Sequence, residues 1–343
     1  MSAKPPSPGP RSPIPAVVTV LGDGGWGTAL ALVAVGAGHQ VRLWSAFPDY
    51  AAEVARTRHN PKFLPGVELP PELLVTADAA EALRGADAVV SAIPTQFVRP
   101  TVARVAGQVP GACVLVSASK GLERGTLRRP SEILAECLPG RAIVVLSGPS
   151  HAEEVARALP ASVVAASAEA SAARRVQELL MGPTLRIYTS SDVLGVELAA
   201  ALKNVIALAA GMADGLGLGA NAKAALVTRG LAEISRLGVA LGAEAATFSG
   251  LSGLGDLVVT CTSGLSRNRR VGERLGRGEK LRDILASSEQ VAEGVTTAEA
   301  ILALAARAGA ELPIAEAVAR VLAGAEPKAE VRALMTRAPK AER

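Results

Sequence analysis

The feature that most constrains the fold is a glycine-rich turn between an apolar strand and a helix near the start of the chain. The stretch VVTVLGDGGWGTALALV places Gly22, Gly24 and Gly27 in the spacing Gly-x-Gly-x-x-Gly. In a βαβ unit these glycines allow a tight turn, close approach of a pyrophosphate and tight packing of helix on strand. The helix N-terminus favours the same anion. The pattern predicts dinucleotide binding by the three glycines, with Gly25 and Trp26 presenting their backbone to the ligand.

The segments that follow alternate between short β-branched runs and helix-length runs of alanine and leucine. This alternation predicts an α/β domain with a Rossmann-type, doubly wound, mostly parallel sheet covered on both faces. Strands are predicted at residues 16–21, 40–44, 73–76, 88–93, 113–117, 143–146, 162–166 and 185–188. After about residue 191 only helices are predicted, at residues 193–212, 223–241, 281–286, 296–308 and 314–323, so an all-α C-terminal domain follows. Thr296 and Glu299 have capping-box spacing.

The predicted domain organisation has four parts. Residues 1–15 form a disordered, proline-rich leader, 16–190 the dinucleotide-binding domain, 191–325 the helical substrate and catalytic domain, and 326–343 a basic, frayed tail. The leader lacks the apolar core of a secretory signal. Charged residues or glycine-rich turns interrupt every apolar run before it could span a membrane. A soluble, cytoplasmic protein without a membrane span is expected.

Composition narrows the classes of partner and cofactor. The chain has 343 residues, 49% of them hydrophobic, which is enough for two cores. An aromatic content of 2% and a scattered net charge of +4 argue against a nucleic-acid partner. The cysteines Cys113, Cys137 and Cys261 form no CxxC pair, and the three histidines lack metal-ligand spacing. We therefore expect reduced thiols and no metal site.

Three loops at the carboxyl ends of predicted strands carry polar residues, where ligands bind in open α/β sheets. Thr95 and Gln96 are expected to be exposed in SAIPTQFV, Lys120 projects from SASKGL, and Ser150 lies in LSGPSHAEEV. Two alternatives stay open. Lys120 is also compatible with a solvated surface lysine, and Ser150 with Glu153 forms a capping box that would start the next helix.

Lys203 lies in the apolar stretch GVELAAALKNVIALAAGMADG, which predicts a helix buried on nearly all sides. Burial disfavours the charged form of a lysine and lowers its pKa, a property that suits a general acid or base. The alternatives are a lysine that snorkels to solvent or pairs with Glu197. Asn204 beside it would orient a substrate or satisfy the helix backbone.

The downstream stretch SGLGDLVVTCTSGLSRNRR combines an acid, Asp256 in a Gly-x-Gly-Asp turn, with a cluster of cationic donors. Arg267, Arg269 and Arg270 fall within four positions, an arrangement suited to a doubly charged anion. The alternatives are Asp256 as a helix cap and Arg267 as a solvated surface charge. The candidate ligand contacts here are Asp256, Ser266, Arg267 and Asn268.

The end of the second strand leaves the choice between NAD and NADP open. NAD-binding domains usually carry an acidic residue there for the ribose 2′-hydroxyl, and an arginine nearby accommodates the 2′-phosphate of NADP. This strand ends in WSAF, with neither type of residue. Arg42 lies inside the strand and Asp49 beyond it.

The glycine turn, the Ser-Gly-Pro-Ser loop, Leu-Lys-Asn and Ser-Arg-Asn-Arg-Arg occur in one order and spacing. From about Val17 to Leu322 the chain thereby resembles bacterial NAD(P)-dependent glycerol-3-phosphate dehydrogenases. The resemblance implies that Lys203 is the proton acceptor, with Lys120 stabilising charge on the substrate oxygen. It implies substrate contacts from Lys120, Gly148, Ser150, Lys203, Asp256, Ser266, Arg267 and Asn268. It implies cofactor contacts from Gly25, Trp26, Phe63, Lys120, Ala152, Arg267, Val291 and Glu293.

The implied activity is reversible hydride transfer between glycerol 3-phosphate and dihydroxyacetone phosphate, with NAD or NADP as the cofactor. Arg267 would hold the phosphate of the substrate, and the product would serve glycerophospholipid synthesis. A homodimer is also implied. Gly25 replaces a common serine, and Ala46 replaces a common arginine or histidine, which bears on any NADP preference.

Two other classes of function remain as alternatives. The first is another two-domain NAD(P)-dependent hydroxyacid dehydrogenase, of the β-hydroxyacid or 6-phosphogluconate type, where a lysine base on a helix fits equally well. The second is a non-catalytic nicotinamide sensor that binds a macromolecule through its basic tail.

Overall fold

The structure, a computed structural model, describes residues 15–287, 292–339 and 341. The chain forms two compact units. The first comprises the chain up to Lys120 together with Arg128–Glu197, and the second comprises Gly121–Leu127 and the chain from Leu198 onward. The change from one unit to the other near residue 197 falls inside a helix rather than in a linker.

The first unit is built on an eight-stranded sheet. Its strands, with a separate two-stranded pair, are β1 (Val17–Leu21), β2 (Gln40–Trp44), β3 (His59–Asn60), β4 (Leu64–Glu68), β5 (Leu74–Thr76), β6 (Ala88–Ser91), β7 (Val114–Ser117), β8 (Ile143–Ser147), β9 (Ala161–Ala166) and β10 (Leu185–Ser190). The helices are α1 (Gly25–Gly36), α2 (Pro48–Thr57), α3 (Ala79–Leu83), α4 (Thr95–Val105), α5 (Pro130–Cys137), α6 (Ala152–Ala156) and α7 (Ala170–Leu180), with a 3-10 turn at Ala106–Gln108.

The strand order is β10-β9-β8-β7-β6-β1-β2-β5, and β3 pairs with β4 outside this sheet. Neighbouring strands are parallel except β8 and β9, which are antiparallel. All eight predicted strands are strands of this sheet, which confirms the predicted fold class. The β3–β4 pair was not predicted, because neither HN nor LPGVE shows a run of alternating or continuous apolar residues.

Alternate residues of the central strands supply two buried clusters, one on each face of the sheet. Val90 of β6 and Val116 of β7 join a cluster that includes residues of α1 and α7. Val89 and Leu115, one position earlier on each strand, join a cluster with residues of α3, α4 and α5. Strands buried on both faces are continuous apolar runs, which explains why their sequence signal is strong.

In the second unit the structure describes helices without a strand among residues 198–287 and 292–339. The helices are α8 (Val193–Gly215), which begins in the first unit, α9 (Gly219–Ala240), α10 (Ala245–Ser249), α11 (Asp256–Thr262), α12 (Arg267–Gly276), α13 (Leu281–Ala286), α14 (Glu293–Ala308), α15 (Pro313–Leu322) and α16 (Pro327–Met335). A π-helical turn at Leu251–Gly255 leads into α11.

Helix α8 is the apolar centre of the second unit. By length and composition it could cross a membrane, with a mean hydropathy of 1.8 over its most apolar window. Glu197, Lys203 and Asp214 nevertheless interrupt its apolar residues, as the sequence predicted. Moreover, 83% of that window is buried inside the protein, as in the core helix of a globular domain.

Helices α8 and α12 approach each other through glycines. A Cβ on Gly211 of α8 would overlap the carbonyl oxygen of Arg269, and a Cβ on Gly272 of α12 would overlap that of Leu208. The backbones are therefore in direct contact. This contact fixes the position of the first turn of α12, which contains Arg267, relative to α8.

Two predictions about chain ends and helix ends differ from the structure. Helix α14 begins at Glu293, not at a Thr296–Glu299 capping box, and Thr296 Oγ1 donates to the Glu293 carbonyl at 3.0 Å. Within the predicted frayed tail, Pro327–Met335 form α16. Arg320 of α15 binds Glu330 of α16 at 2.7 Å, which holds the two helices together.

Candidate functional site

The geometry of the turn between β1 and α1 shows what a side chain would meet at each of its three glycines. Gly22 has a φ of +108°, a conformation that side-chain-bearing residues rarely adopt, and its N–H donates to the Trp44 carbonyl at 2.9 Å. A Cβ on Gly27 would overlap the Gly22 carbonyl, whereas a Cβ on Gly24 would meet nothing within 4 Å. Helix α1 begins without a side-chain cap, so its first N–H groups are available to an anion in the open space beside Gly24.

Three predicted cofactor contacts lie together beside this turn. A Cβ on Gly25 would lie 2.6 Å from the Phe63 carbonyl oxygen and 3.5 Å from the Ala152 Cβ. A serine at Gly25 would therefore displace the segment between β3 and β4. Trp26 Nε1 is buried and has no hydrogen-bond partner among the residues that the structure describes. The open space, the uncapped helix and the unpartnered indole N–H fit a bound dinucleotide.

Lys120 and Ser150 converge on Gly148 at the carboxyl ends of β7 and β8. Lys120 Nζ donates to the Gly148 carbonyl at 3.2 Å, and Ser150 Oγ donates to the same oxygen at 3.0 Å. Gly148 has a φ of +148°, and a Cβ there would lie 2.9 Å from the Val163 Cα. This position therefore requires glycine, and three predicted substrate contacts share one carbonyl group.

The alternative roles proposed for this group are not observed. Helix α6 begins at Ala152 with His151 as its N-cap residue, so Ser150 and Glu153 do not form a capping box. Lys120 is half-buried rather than a solvated surface lysine. Thr95, expected to be exposed, is buried as the first residue of α4.

Lys203 of α8 is bound to two side chains of α11. Its Nζ lies 2.6 Å from Asp256 Oδ1 and 2.7 Å from Thr260 Oγ1. Lys203 is 6% exposed and Asp256 1%, so the lysine does not snorkel to solvent. An opposite charge favours the ionised form of both groups and opposes the effect of burial. Thr260 was missed from the sequence, although it follows Asp256 by one helical turn.

Glu197 has partners of its own, which excludes the predicted alternative of a Lys203–Glu197 pair. Its carboxylate accepts hydrogen bonds from Arg129 Nη1 at 2.6 Å and from the Ser131 N–H at 2.9 Å and Oγ at 2.5 Å. Burial raises the pKa of Glu197, and the Arg129 charge opposes this shift. These bonds tie the beginning of α8 to the beginning of α5.

Asp256 and Ser266 occupy the first turns of α11 and α12. Asp256 is the first residue of α11, but the N-cap residue is Gly255, so the predicted capping role of Asp256 is not observed. Ser266 is the N-cap residue of α12, and its Oγ accepts from the Arg269 N–H at 3.3 Å. This bond orients the turn that contains Arg267.

Asn268 joins three helices of the second unit. Its Nδ2 donates to Asn204 Oδ1 of α8 at 3.0 Å, and its Oδ1 accepts from the Gly294 N–H of α14 at 2.9 Å. Asn204 Nδ2 also donates to the Ala200 carbonyl at 3.4 Å. Asn204 and Asn268 therefore each form a hydrogen bond with a backbone group and are hydrogen-bonded to each other.

The arginine cluster divides into one half-buried and two exposed members. Arg269 binds Asp214 of α8 through Nη2 at 2.6 Å and Nε at 2.7 Å. Arg267 and Arg270 are exposed. The exposed guanidinium groups of this cluster are therefore those of Arg267 and Arg270, while Arg269 holds α12 to α8. Asp214, which the sequence reasoning missed, is its partner.

The remaining predicted contacts lie at the ends of other elements. Glu293 is the half-buried first residue of α14, and Val291 lies outside the described residues. Ala46 follows β2 and is half-buried. Arg42 Nη1 donates to the Glu81 carbonyl at 3.0 Å, so this guanidinium holds α3 against β2.

The three cysteines are free thiols, and two of them are buried. Cys113, Cys137 and Cys261 are thiols, and burial raises the pKa of Cys261 to about 12. Within residues 15–287 and 292–339, no three His, Cys, Asp or Glu side chains are grouped to hold a metal ion.

The sheet, its glycine turn and the uncapped helix define a Rossmann-type dinucleotide-binding protein. A family model described as NAD-dependent glycerol-3-phosphate dehydrogenase N-terminus matches residues 17–173, and its C-terminus counterpart matches residues 192–332. The chain therefore belongs to the NAD-dependent glycerol-3-phosphate dehydrogenase family, as its motifs predicted.

Similar proteins cover nearly the whole chain. A protein of Prosthecochloris aestuarii named glycerol-3-phosphate dehydrogenase (NAD(P)+) is 48% identical over 95% of this chain and 99% of its own length. One of Geobacter metallireducens with the same name is 50% identical over 95% and 98%. The crystal structure of glycerol-3-phosphate dehydrogenase from Coxiella burnetii is similar with a TM-score of 0.91 and 37% identity, covering 94% of this chain and 99% of that one.

Proposed function

We propose that the protein is an NAD(P)-dependent glycerol-3-phosphate dehydrogenase. It oxidises C2 of glycerol 3-phosphate to the ketone of dihydroxyacetone phosphate and catalyses the reverse reaction. NAD or NADP bound at the glycine turn would supply the hydride acceptor for oxidation, and its reduced form would supply the hydride donor for reduction. The proton of the C2 hydroxyl goes to the protein. The observation that carries the proposal is the buried Lys203, whose Nζ donates hydrogen bonds to Asp256 and Thr260. The family to which the chain belongs supports the same reaction.

Lys203 is the proposed acid and base. In oxidation its neutral amine takes the hydroxyl proton, and in reduction its ammonium protonates the carbonyl oxygen. The Asp256 carboxylate, 2.6 Å from Nζ, stabilises the ammonium form. Lys120 is proposed to stabilise charge on the same substrate oxygen.

Arg267 is the proposed phosphate ligand. It stands in the first turn of α12, where N–H groups near the helix N-terminus add to its charge. A guanidinium offers a forked pair of donors that matches a phosphate. Ser266 and Asn268 are proposed to contact the substrate as well, although the structure also uses them to cap α12 and to join helices. Gly148 and Ser150 complete the proposed substrate contacts.

The proposed dinucleotide contacts come mainly from the first unit. Gly22, Gly24 and Gly27 shape the turn, and the N–H groups at the start of α1 bind the pyrophosphate. The further contacts proposed are Gly25, Trp26, Phe63, Lys120, Ala152, Arg267, Val291 and Glu293. Each is proposed on family resemblance, and the proximity of Gly25, Phe63 and Ala152 supports three of them.

A spectrophotometric assay tests the proposed reaction. Purified protein is mixed with dihydroxyacetone phosphate and either NADH or NADPH, and the loss of absorbance of the reduced nicotinamide is followed. Oxidation of glycerol 3-phosphate is compared with that of β-hydroxyacids and 6-phosphogluconate. Rapid turnover of the phosphorylated three-carbon substrates supports the proposal. Preference for a hydroxyacid would assign the protein to the alternative class of two-domain dehydrogenases instead.

The proposal extends to the cellular role. The product glycerol 3-phosphate would supply glycerophospholipid synthesis in the cytoplasm, where the three thiols stay reduced. A homodimer is proposed from the family resemblance. Multi-angle light scattering of the purified full chain tests it, because a monomer mass at micromolar concentration would contradict it.

A further inference from the structure

Asp23, between the first two glycines of the turn, is a buried acid with unused acceptor capacity. Its side chain is 5% exposed, and its Oδ2 has no hydrogen-bond partner among the residues that the structure describes. The backbone is held firmly, because the Asp23 carbonyl accepts from Asn60 Nδ2 at 2.7 Å and from Thr28 Oγ1 at 3.2 Å. An unsatisfied buried carboxylate oxygen is costly, so it calls for an explanation in terms of a ligand or function.

The Asp23 side chain reaches the end of β2. Burial raises the pKa of Asp23, while the nearby Ser45 side chain and the charge of Lys62 act in the opposite direction. Ser45 directly follows β2, and the turn is joined to the same strand end by the bond from the Gly22 N–H to the Trp44 carbonyl at 2.9 Å. The carboxylate from the first turn therefore lies beside the position where NAD-binding domains usually carry an acid on β2.

Two arginines near this strand end are engaged with other groups, whereas Lys62 lies close enough for its charge to act on Asp23. Arg42 donates to the carbonyls of Glu81 and Ala82 at 3.0 and 3.3 Å. The Arg104 guanidinium stacks over the Trp44 ring at 5.3 Å. Lys62 lies over the Phe63 ring at 5.3 Å. At residue 46, where the family resemblance leads one to expect arginine or histidine, the chain has alanine.

We propose that Asp23 is the residue that selects NAD over NADP. Its carboxylate accepts the ribose 2′-hydroxyl hydrogen of NAD, in place of an acid on β2. The same charge repels the 2′-phosphate of NADP, and the repulsion is strong because the group is shielded from water. The inference rests on the proposed dinucleotide binding, and it adds the specificity that the sequence of β2 left open.

Equilibrium binding without substrate tests the proposal. Dissociation constants of ADP-ribose and 2′-phospho-ADP-ribose are measured by calorimetry for the wild type, Asp23→Asn and Asp23→Ala. The wild type should bind the unphosphorylated nucleotide about tenfold more tightly or better, and both variants should reduce this ratio about tenfold, as expected for a lost charge-assisted contact. Asp49→Asn is the matched control, since Asp49 is an exposed acid just beyond the same strand end and should leave the ratio unchanged.

The outcomes separate the two proposals. If neither nucleotide binds the wild type, the proposed function fails. If both bind with equal affinity, or if Asp23→Asn keeps the wild-type ratio with a normal melting temperature, only the role of Asp23 is overturned. Should both Asp23 variants unfold, Ser45→Ala gives the second test. It removes the hydroxyl that favours the ionised form of Asp23 and must shift the affinity ratio towards the phosphorylated nucleotide.

Discussion

Lys203 Nζ and Asp256 Oδ1 lie 2.6 Å apart on two helices, with both side chains buried. Breaking such a pair by removing one partner leaves an uncompensated buried charge, which is strongly destabilising. The pair therefore fixes α8 against α11, and it also holds the amine in one orientation. A structural role and a catalytic role coincide in these residues, so experiments must distinguish them.

Lys203→Ala should strongly reduce turnover, because the proposed proton acceptor is missing. A loss of about 100-fold to 10,000-fold in kcat is typical when a general acid or base is removed. Nicotinamide binding, measured by calorimetry, should stay near the wild-type value since the glycine turn is untouched. Lys280→Ala, at an exposed lysine, is the control. Wild-type turnover in Lys203→Ala would refute the assignment of the base.

Arg267→Ala should raise the KM for dihydroxyacetone phosphate strongly. The loss of a charge-assisted contact with the phosphate weakens binding by about 10-fold to 100-fold. Arg270→Ala removes an exposed charge of the same helix and should change the KM by less than about threefold. Steady-state kinetics at saturating cofactor compare the two variants. Equal KM values in both would remove Arg267 from the phosphate site.

The strands and the buried lysine could be predicted because their signals are local. A strand buried on both faces of a parallel sheet is an unbroken apolar run. The apolar residues around Lys203 in the sequence indicate that its helix is buried on nearly all sides. The partner of Lys203 could not be predicted in the same way. Asp256 is 53 positions away, and only the packing of α8 on α11 brings the two together.

The capping predictions failed for a related reason. Ser-x-x-Glu and Thr-x-x-Glu patterns describe local hydrogen bonds, but tertiary contacts decide where a helix begins. Helix α14 begins at Glu293, and the N–H of the next residue, Gly294, is satisfied by Asn268 Oδ1 of α12 at 2.9 Å. A side chain from another helix therefore replaces the predicted local cap.

Glu233 should make stability depend on pH. Its buried carboxylate on α9 accepts the Ile314 N–H at 2.8 Å and the Ala315 N–H at 3.3 Å. Burial raises its pKa from 4.5 to about 7, although these two bonds act in the opposite direction. Between these pH values the folded state binds more protons than the unfolded state. Its contribution to the free energy of unfolding should therefore fall as the pH rises from 4.5 to about 7.

Urea denaturation at several pH values checks this dependence. The decline attributable to Glu233 is on the order of 3 kcal/mol, at about 1.4 kcal/mol per pKa unit. Glu233→Gln cannot ionise and should lack this part of the decline. Glu299→Gln, at an exposed position of α14, should keep the wild-type profile. Identical profiles for all three proteins would show that Glu233 does not titrate in this range.

Gly272→Ala should separate α12 from α8. The added Cβ would overlap the Leu208 carbonyl, which is backbone and cannot turn aside as a side chain can. Overpacking of this kind costs about 1–3 kcal/mol, and the displacement should move Arg267 and raise the KM for dihydroxyacetone phosphate. Gly264→Ala is the matched control, because a Cβ there meets nothing within 4 Å. Chemical denaturation and steady-state kinetics measure both effects. A Gly272→Ala protein as stable as the control, with an unchanged KM, would mean that close packing of these helices does not position the phosphate ligand.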